Sequence, residues 1–158
     1  MSTALARARK WLGSTSNRTF IVWPLVLLAV EAILQQGWPR IHPWALPLLA
    51  WGYLQYKLVG TYRTREGGGG PGMKVPPDRI LDVGPYRFVR NPMYLGHLIF
   101  LAGLALALGS WIGAAVLAAH VFWFHRHVRE DEERLAALFG DTYRDYCRRV
   151  KRWIPGVL

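Results

Sequence analysis

The sequence predicts an all-α fold: an integral membrane helical bundle with about four transmembrane helices and a C-terminal cytoplasmic amphipathic helix. Two observations carry that prediction. Hydrophobic residues make up 52% of the 158-residue chain, with eight Trp among them, and they gather in long runs rather than in the half-apolar periodicity of a soluble domain. Nineteen of the twenty Lys and Arg residues fall on one side when those runs are threaded through a bilayer, as the positive-inside rule requires.

The runs are Phe20 to Gln36, Pro43 to Val59, Pro92 to Leu108 and Trp111 to Phe124. Each is close to, or slightly short of, the roughly 20 residues that span a bilayer, which predicts tilted or kinked helices or a locally thinned membrane. Arg7, Arg9, Lys10 and Arg18 precede the first run. Lys57, Arg63, Arg65, Lys74, Arg79, Arg87 and Arg90 lie between the second and third, and eight more basic residues run from Arg126 to Arg152. Arg40 alone falls on the far side. Both termini are therefore expected in the cytoplasm, with the chain multi-pass in a bacterial inner membrane. Topology accounts for the net charge of +10, so nucleic acid is not needed to explain it. No A-x-A-like cleavage site follows the first run, which reads as a span and not a signal peptide. Cys147 is the single cysteine, so an internal disulfide and a Cys-based metal site are both excluded.

The chain divides as one membrane domain, 1–158, built from an N-terminal helical hairpin (1–60), a Gly-rich cytoplasmic connector (61–83) and a second hairpin with its tail (84–158). Residues 1–19 form a basic amphipathic lead-in. Glu31 lies inside the first run with Gln35 one turn later. An ionisable group there is costly, and the plainer reading is that it bonds a neighbouring helix or reaches the far surface. Trp44, Trp51, Tyr53 and Tyr56 in the second run serve as interface anchors or packing. Gly67 through Gly72 forms a linker without the Lys-Ser/Thr ending of a phosphate loop.

Asn91-Pro92 is a helix start, since Asn caps and Pro suits the first helical position. Gly96 and Gly103 share a face that permits close helix contact. Gly109-Ser110 turns the third run into the fourth. The fourth helix is expected to reach about Leu138, with Val128, Leu135 and Leu138 at helical spacing, and to end at Gly140. A last helix, about Asp141 to Lys151, puts Tyr143, Tyr146, Cys147 and Val150 on one face. Arg144, Arg148, Arg149 and Lys151 lie largely on the other, a composition suited to an anionic leaflet.

Three constellations hold chemistry. Around Arg90 to Tyr94, a helix N-terminus with an adjacent cation suits a carboxylate or phosphate; the plainer alternative is a capped helix with snorkelling Arg and interfacial Tyr. Glu130-Asp131-Glu132-Glu133 offers acceptors for an ammonium, a sulfonium or ribose hydroxyls, or else a solvated face paired with Arg126, Arg129 and Arg134. The hairpin brings both groups to one cytoplasmic mouth, where a zwitterionic nucleoside would use the two together. His120, His125 and His127 lie on the fourth helix, where His120 and His127 share a face that His97 of the third could complete, but without a tight ligand motif they read as separate interfacial or core histidines, and no metal is expected.

The stretch Gly84-Pro85-Tyr86-Arg87-Phe88-Val89-Arg90-Asn91-Pro92-Met93-Tyr94-Leu95-Gly96 resembles the signature of the isoprenylcysteine carboxyl methyltransferase family and is similar to that of the related phospholipid methyltransferases. The second half of the match is Asp131-Glu132, then Leu135, Phe139-Gly140, Tyr143, Tyr146, Val150 and Ile154-Pro155. The resemblance implies a membrane methyltransferase with S-adenosylmethionine as cofactor and a lipophilic small molecule or lipid as partner. Carried over by position, Ile80, Leu81, Tyr86, Asn91, Pro92, Met93, Tyr94, Asp131 and Glu132 contact the cofactor. For methyl transfer itself, Arg90 or Arg129 is expected to orient an anionic acceptor, and an amine or phenol acceptor would need a base, for which Glu132, His127 or a water is available. Asn91 stands where the family usually has His, Asp131 where Glu is usual, and His127 where the eukaryotic enzymes carry an Arg near the substrate. Two other readings remain beside this one: a membrane reductase using a nicotinamide cofactor, and a non-enzymatic basic membrane anchor.

Overall fold

A computed structural model describes residues 3–68 and 76–155. The described residues are almost all helical: α1 (Thr3–Gly13), α2 (Thr15–Asn17), a π-helical turn (Arg18–Val22), α3 (Trp23–Leu34), α4 (Leu46–Gly67), α5 (Pro92–Leu108) and α6 (Trp111–Arg149). The π turn has an identifiable cause. Pro24, near the start of α3, has no N–H and its ring crowds the preceding turn, and the chain widens there, with the Trp23 N–H reaching back to the Arg18 carbonyl. The third apolar run coincides with α5. The first ends two residues early, at Leu34. The second continues eight residues past Val59, to Gly67; Thr61 and Thr64 return their hydroxyls to carbonyls four residues back, and Val59, Arg63 and Gly67 are buried along one face. The helical part of the expected connector is thus 61–67, and its Gly69 to Gly72 lies outside the described residues.

α6 bends at Gly140, whose φ of 59° and ψ of −134° suit glycine and few other residues. The segment after the bend ends at Arg149, close to the expected Lys151. Leu138 is 59% exposed, so it does not continue the buried Val128–Leu135 face; the stripe shifts one position, to Phe139, as the helix approaches the bend.

The chain forms two compact units: Met1–Tyr53 with His97–Ala119, and Leu54–Gly96 with His120–Leu158. The sequence division at 60 and 84 follows the order of the runs, whereas each unit draws on α4, α5 and α6 together. In the first unit Leu27, Leu104 and Leu108 form a core with Leu49, Phe100 and Val116. Phe20 sits edge-on to Tyr53 and Phe100 and against His97. A Cβ at Gly103 would lie 2.8 Å from the Leu49 nitrogen, so the small residue in α5 lets the start of α4 approach at backbone distance. Glu31 is buried and accepts from Gln35 Nε2 at 3.0 Å and from Ser110; the interhelical bond is the expected plain role. Ser110 also accepts from the Gly113 N–H at 2.9 Å, starting α6 after the Gly109 turn.

This unit buries polar groups beside its leucine core and is apolar outside. Thr19, Glu31 and His97 are buried, while Leu25, Ile33, Leu34, Trp38, Trp44 and Trp111 are exposed. An exposed apolar surface of that extent marks an interaction with something apolar. Among the described residues, Thr15–Leu34 is the helix long and apolar enough to cross a membrane, and Pro92–Leu108 is a shorter apolar helix. Four such helices were expected. The second and fourth runs lie inside helices whose charged continuations leave too short an apolar window.

Candidate functional site

The second unit holds a cavity of about 800 Å³, counted out to its open mouth. Its walls come from α4, from the loop before α5, from the N-terminal turn of α5 and from both arms of α6. The loop is set by Gly84, which has φ +59° and lies against the Tyr62 ring. A 3₁₀ turn at Gly84–Arg87 then brings Tyr86 inward. Val89 pairs with Lys151 as an isolated bridge, and the Arg90 N–H donates to the Lys151 carbonyl at 2.9 Å. The C-terminal segment is therefore laced to the start of α5.

Side chains reinforce that lacing. Arg90 Nε donates to Glu132 Oε1 at 3.0 Å, and its Nη1 donates to the carbonyls of Cys147 and Val150 at 2.8 and 2.6 Å. These are the unpaired carbonyls at the end of α6, so Arg90 is a C-terminal cap delivered from another element. Arg152 clasps the same carboxylate, with Nη2 at 2.6 Å from Glu132 Oε2 and Nε at 3.1 Å from Oε1. Asn91 Nδ2 donates to the Arg152 carbonyl at 3.5 Å, and the Asn91 carbonyl accepts the Leu95 N–H at 3.0 Å, as a helix-starting residue should. Arg90 and Glu132 thus hold the wall in place. Arg152 is held more strongly protonated than usual by its bond to Glu132.

Ile80, Leu81, Tyr86, Arg90, Asn91, Met93, Tyr94 and Asp131 all line the cavity. Pro92 and Glu132 do not; Pro92 stands behind the wall, its carbonyl accepting from Gln55 Nε2 at 2.9 Å. Arg129 is exposed and also outside the lining. Tyr94 donates its hydroxyl to Asp131 Oδ2 at 2.9 Å, and Arg134 Nη1 lies 3.2 Å from Asp131 Oδ1. The Asp131 carboxylate is thereby fixed toward the cavity. His127 stacks on Trp123 at 5.2 Å with its Nδ1 3.5 Å from Glu130. Among the described residues no three metal-ligating side chains gather.

Residues given no cofactor contact in the sequence reading complete the lining: Arg63, Pro76, Pro77 and Arg134, and the motif residues Phe139, Tyr143 and Tyr146. Val59, Arg63 and Gly67 recur every four residues and are buried, so Arg63 was legible as an inward position of α4, though as a charge it read only as topology. The tail helix is a correction of another kind. Tyr143, Tyr146 and Val150 are buried against Ile80, Leu135 and Phe139, and Tyr146 donates to the Tyr86 carbonyl at 2.8 Å. The face expected on an anionic leaflet is covered by protein, because these rings gain more by closing the cavity. Burial pushes the hydroxyls of Tyr86, Tyr143 and Tyr146 well above the ordinary tyrosine value, and burial likewise raises the Cys147 thiol. All four stay protonated at neutral pH and act as donors rather than as bases or nucleophiles.

The chemistry of the wall is mixed in a specific way. One fixed carboxylate and three arginines, the buried Arg63, Arg90 and the half-exposed Arg134 that pairs with Asp131, share the wall with apolar surface from Ile80, Leu81, Leu135 and Phe139 and with tyrosine rings. Such a site binds a ligand that carries both charge signs and a flat apolar part.

The phospholipid methyltransferase family model matches residues 70–142, which include most of this lining. The chain is 34% identical over 74 residues to a protein-S-isoprenylcysteine O-methyltransferase of Schizosaccharomyces pombe, covering 46% of this chain and 31% of that protein. It is 36% identical over 85 residues to methanethiol S-methyltransferase 1 of Bradyrhizobium diazoefficiens, covering 53% and 29%. An uncharacterized protein of Haemophilus influenzae is 34% identical over 65 residues, 39% of this chain and 100% of that one. The chain spans about a third of the length of the two methyltransferases it matches here.

Proposed function

We propose that the chain, similar to the phospholipid methyltransferase family over residues 70–142 and to isoprenylcysteine and methanethiol methyltransferases over about half its length, transfers the methyl group of S-adenosylmethionine to a lipophilic acceptor, an isoprenoid or fatty carboxylate or a lipid amine. The observation that carries the reading is Asp131, held by Tyr94 and by Arg134 one turn on, in an apolar, tyrosine-lined cavity that Arg63 also lines. The donor set fits the cofactor. Asp131 offers acceptors to ribose hydroxyls, the two arginines suit an amino-acid carboxylate, and Ile80, Leu81, Leu135 and Phe139 suit a purine. Tyr86 and Tyr94 present ring faces to a sulfonium, and Asn91 and Met93 complete the contact at the helix start.

S-adenosylmethionine supplies an electrophilic methyl on a positively charged sulfur. The chain then has to align an acceptor with it and exclude water, not provide a nucleophile. A carboxylate acceptor arrives deprotonated and needs no base. Arg90, Glu132 and Arg152 act as positioning residues, keeping the Tyr143–Tyr146 wall on the cavity.

The topology that goes with this reading has about four spans, both termini cytoplasmic and the cavity at the inner face of a bacterial inner membrane. The apolar exterior of the first unit and the one-sided distribution of Lys and Arg support it. Calorimetric titration of detergent-solubilised protein with S-adenosylmethionine and, separately, with NADPH tests the cofactor. Binding of NADPH alone would favour a reductase, and binding of neither a non-enzymatic anchor. Labelled donor incubated with protein and host lipid extract, and with methanethiol in a parallel reaction, then identifies the acceptor.

A further inference from the structure

A second groove of about 800 Å³, counted to the solvent, runs along α4. Tyr56, Lys57, Gly60, Thr61, Thr64, Arg65 and Met93 line it, and Met93 lines the first cavity as well. That residue is only 5% exposed, and its methyl group lies 3.5 Å from where a Cβ on Gly60 would stand. One thioether packed on a glycine is therefore the partition between the two spaces. Methionine is the flexible side chain suited to such a partition.

The helix face leading into the groove is graded. Leu54, Leu58, Thr61 and Arg65 follow one another at spacings of four, three and four along α4, so they share a face. Leu54 and Leu58 are exposed, Lys57 is exposed beside Leu58, and Thr61, Thr64 and Arg65 are exposed beyond them. The Thr61 and Thr64 hydroxyls donate to backbone carbonyls, leaving their oxygens as weak acceptors and their methyl groups as groove surface. Arg65 is 83% exposed in its side chain and meets Glu66 at 3.4 Å, a surface pair of little strength. Glu66 also faces Arg79 at 3.8 Å. The face thus begins apolar at Leu54, sets Lys57 beside Leu58 and ends cationic at Arg65. In the topology above, α4 leaves the membrane at its C-terminal end, so an inner-leaflet amphiphile would lie in the same direction, tail to Leu54 and head to Lys57 and Arg65.

The geometry points to a second ligand site: the α4 groove takes the anionic head of a single-chain amphiphile at Lys57 and Arg65, with Met93 separating it from the first cavity. On the methyl-transfer reading this is where the acceptor docks, and the inference rests on that reading for this role but not for the binding itself. A carboxylate and a phosphate monoester share the required chemistry. Full-length protein in neutral maltoside micelles is titrated with laurate, dodecyl phosphate and uncharged dodecanol, alone and as the K57Q/R65Q double variant. Both changes are at exposed side chains, and an unaltered thermal unfolding curve verifies the fold.

Laurate or dodecyl phosphate should bind the wild type at least about tenfold more tightly than dodecanol, and the double variant should lose about three- to tenfold of that affinity, the effect expected of two exposed ion pairs. Preference between the two anions identifies the head group. Equal binding of dodecanol, or anion affinity unchanged in the double variant, would overturn the site. S-adenosylmethionine affinity, measured in the same samples, should not change; its absence in the wild type would count against the proposed function and leave the groove result standing.

Discussion

Replacing Glu132 with Gln removes the charge at the centre of a mostly buried cluster while keeping its volume. The carboxylate is 13% exposed, Arg90 10% and Arg152 27%. In the variant one amide oxygen remains for two guanidinium groups, so at least one is left without its anion. Breaking a buried ion pair by removing one partner costs about 3–5 kcal/mol, and the partial exposure of Arg152 lowers the expectation here to about 2–3 kcal/mol. Arg152→Ala should cost less, about 1 kcal/mol, because Glu132 keeps Arg90. The two substitutions share a partner and should couple by about 1 kcal/mol in a double-mutant cycle. Reversible unfolding in mixed micelles, followed by tyrosine near-UV circular dichroism, measures all three. Since Tyr143 and Tyr146 line the cavity, S-adenosylmethionine should bind Glu132→Gln more weakly even where the protein is fully folded. A loss below about 0.5 kcal/mol, or additive single effects, would refute the idea that this cluster holds the wall.

Other outcomes are expected from the same geometry. Asp131→Asn should weaken S-adenosylmethionine binding about tenfold, the loss of one charge-assisted hydrogen bond, with Tyr94→Phe having a smaller effect; titration calorimetry reads both. Gly103→Ala should destabilise the first unit by about 1–3 kcal/mol, because the added carbon meets Leu49 and Leu48 backbone at 2.8 and 3.1 Å; Ala at the exposed Leu106 of α5 serves as the control. Tyr86, Tyr143 and Tyr146 have raised values in the folded chain, so the stability they confer is complete below the unfolded value of about 10 and drains away as pH rises above it. Absorbance titration near 295 nm should show these three tyrosines ionising only with unfolding; their ionisation near pH 10 in the folded protein would contradict their burial.

Helix identity and order were readable because they depend on local chemistry. α5 begins at Pro92 and ends at Leu108 as the apolar run does, and the Gly109 turn and the Gly140 bend follow from backbone freedom that needs no partner. Eight cavity residues, from Ile80 to Asp131, were likewise reachable by motif. Glu132 and Arg129 were assigned beside Asp131, yet neither enters the lining. On a helix, adjacent residues point about 100° apart, so adjacency in a charged run does not establish a shared direction. Arg63, Tyr143 and Tyr146 were readable as inward helix positions but not as neighbours, since 80 or more residues separate the arginine from the rings.

The chain alone determined which segments are helical, which face of each is apolar and where the charges gather, since these follow from side-chain periodicity and backbone preference. The tertiary structure decided what each charge does. Arg90 became a helix cap, Glu132 a clasp between two arginines and Asp131 the carboxylate left facing the cavity. Those roles depend on distances between residues far apart in the chain, and a few ångströms decide which ion pair faces the cavity and which braces its wall.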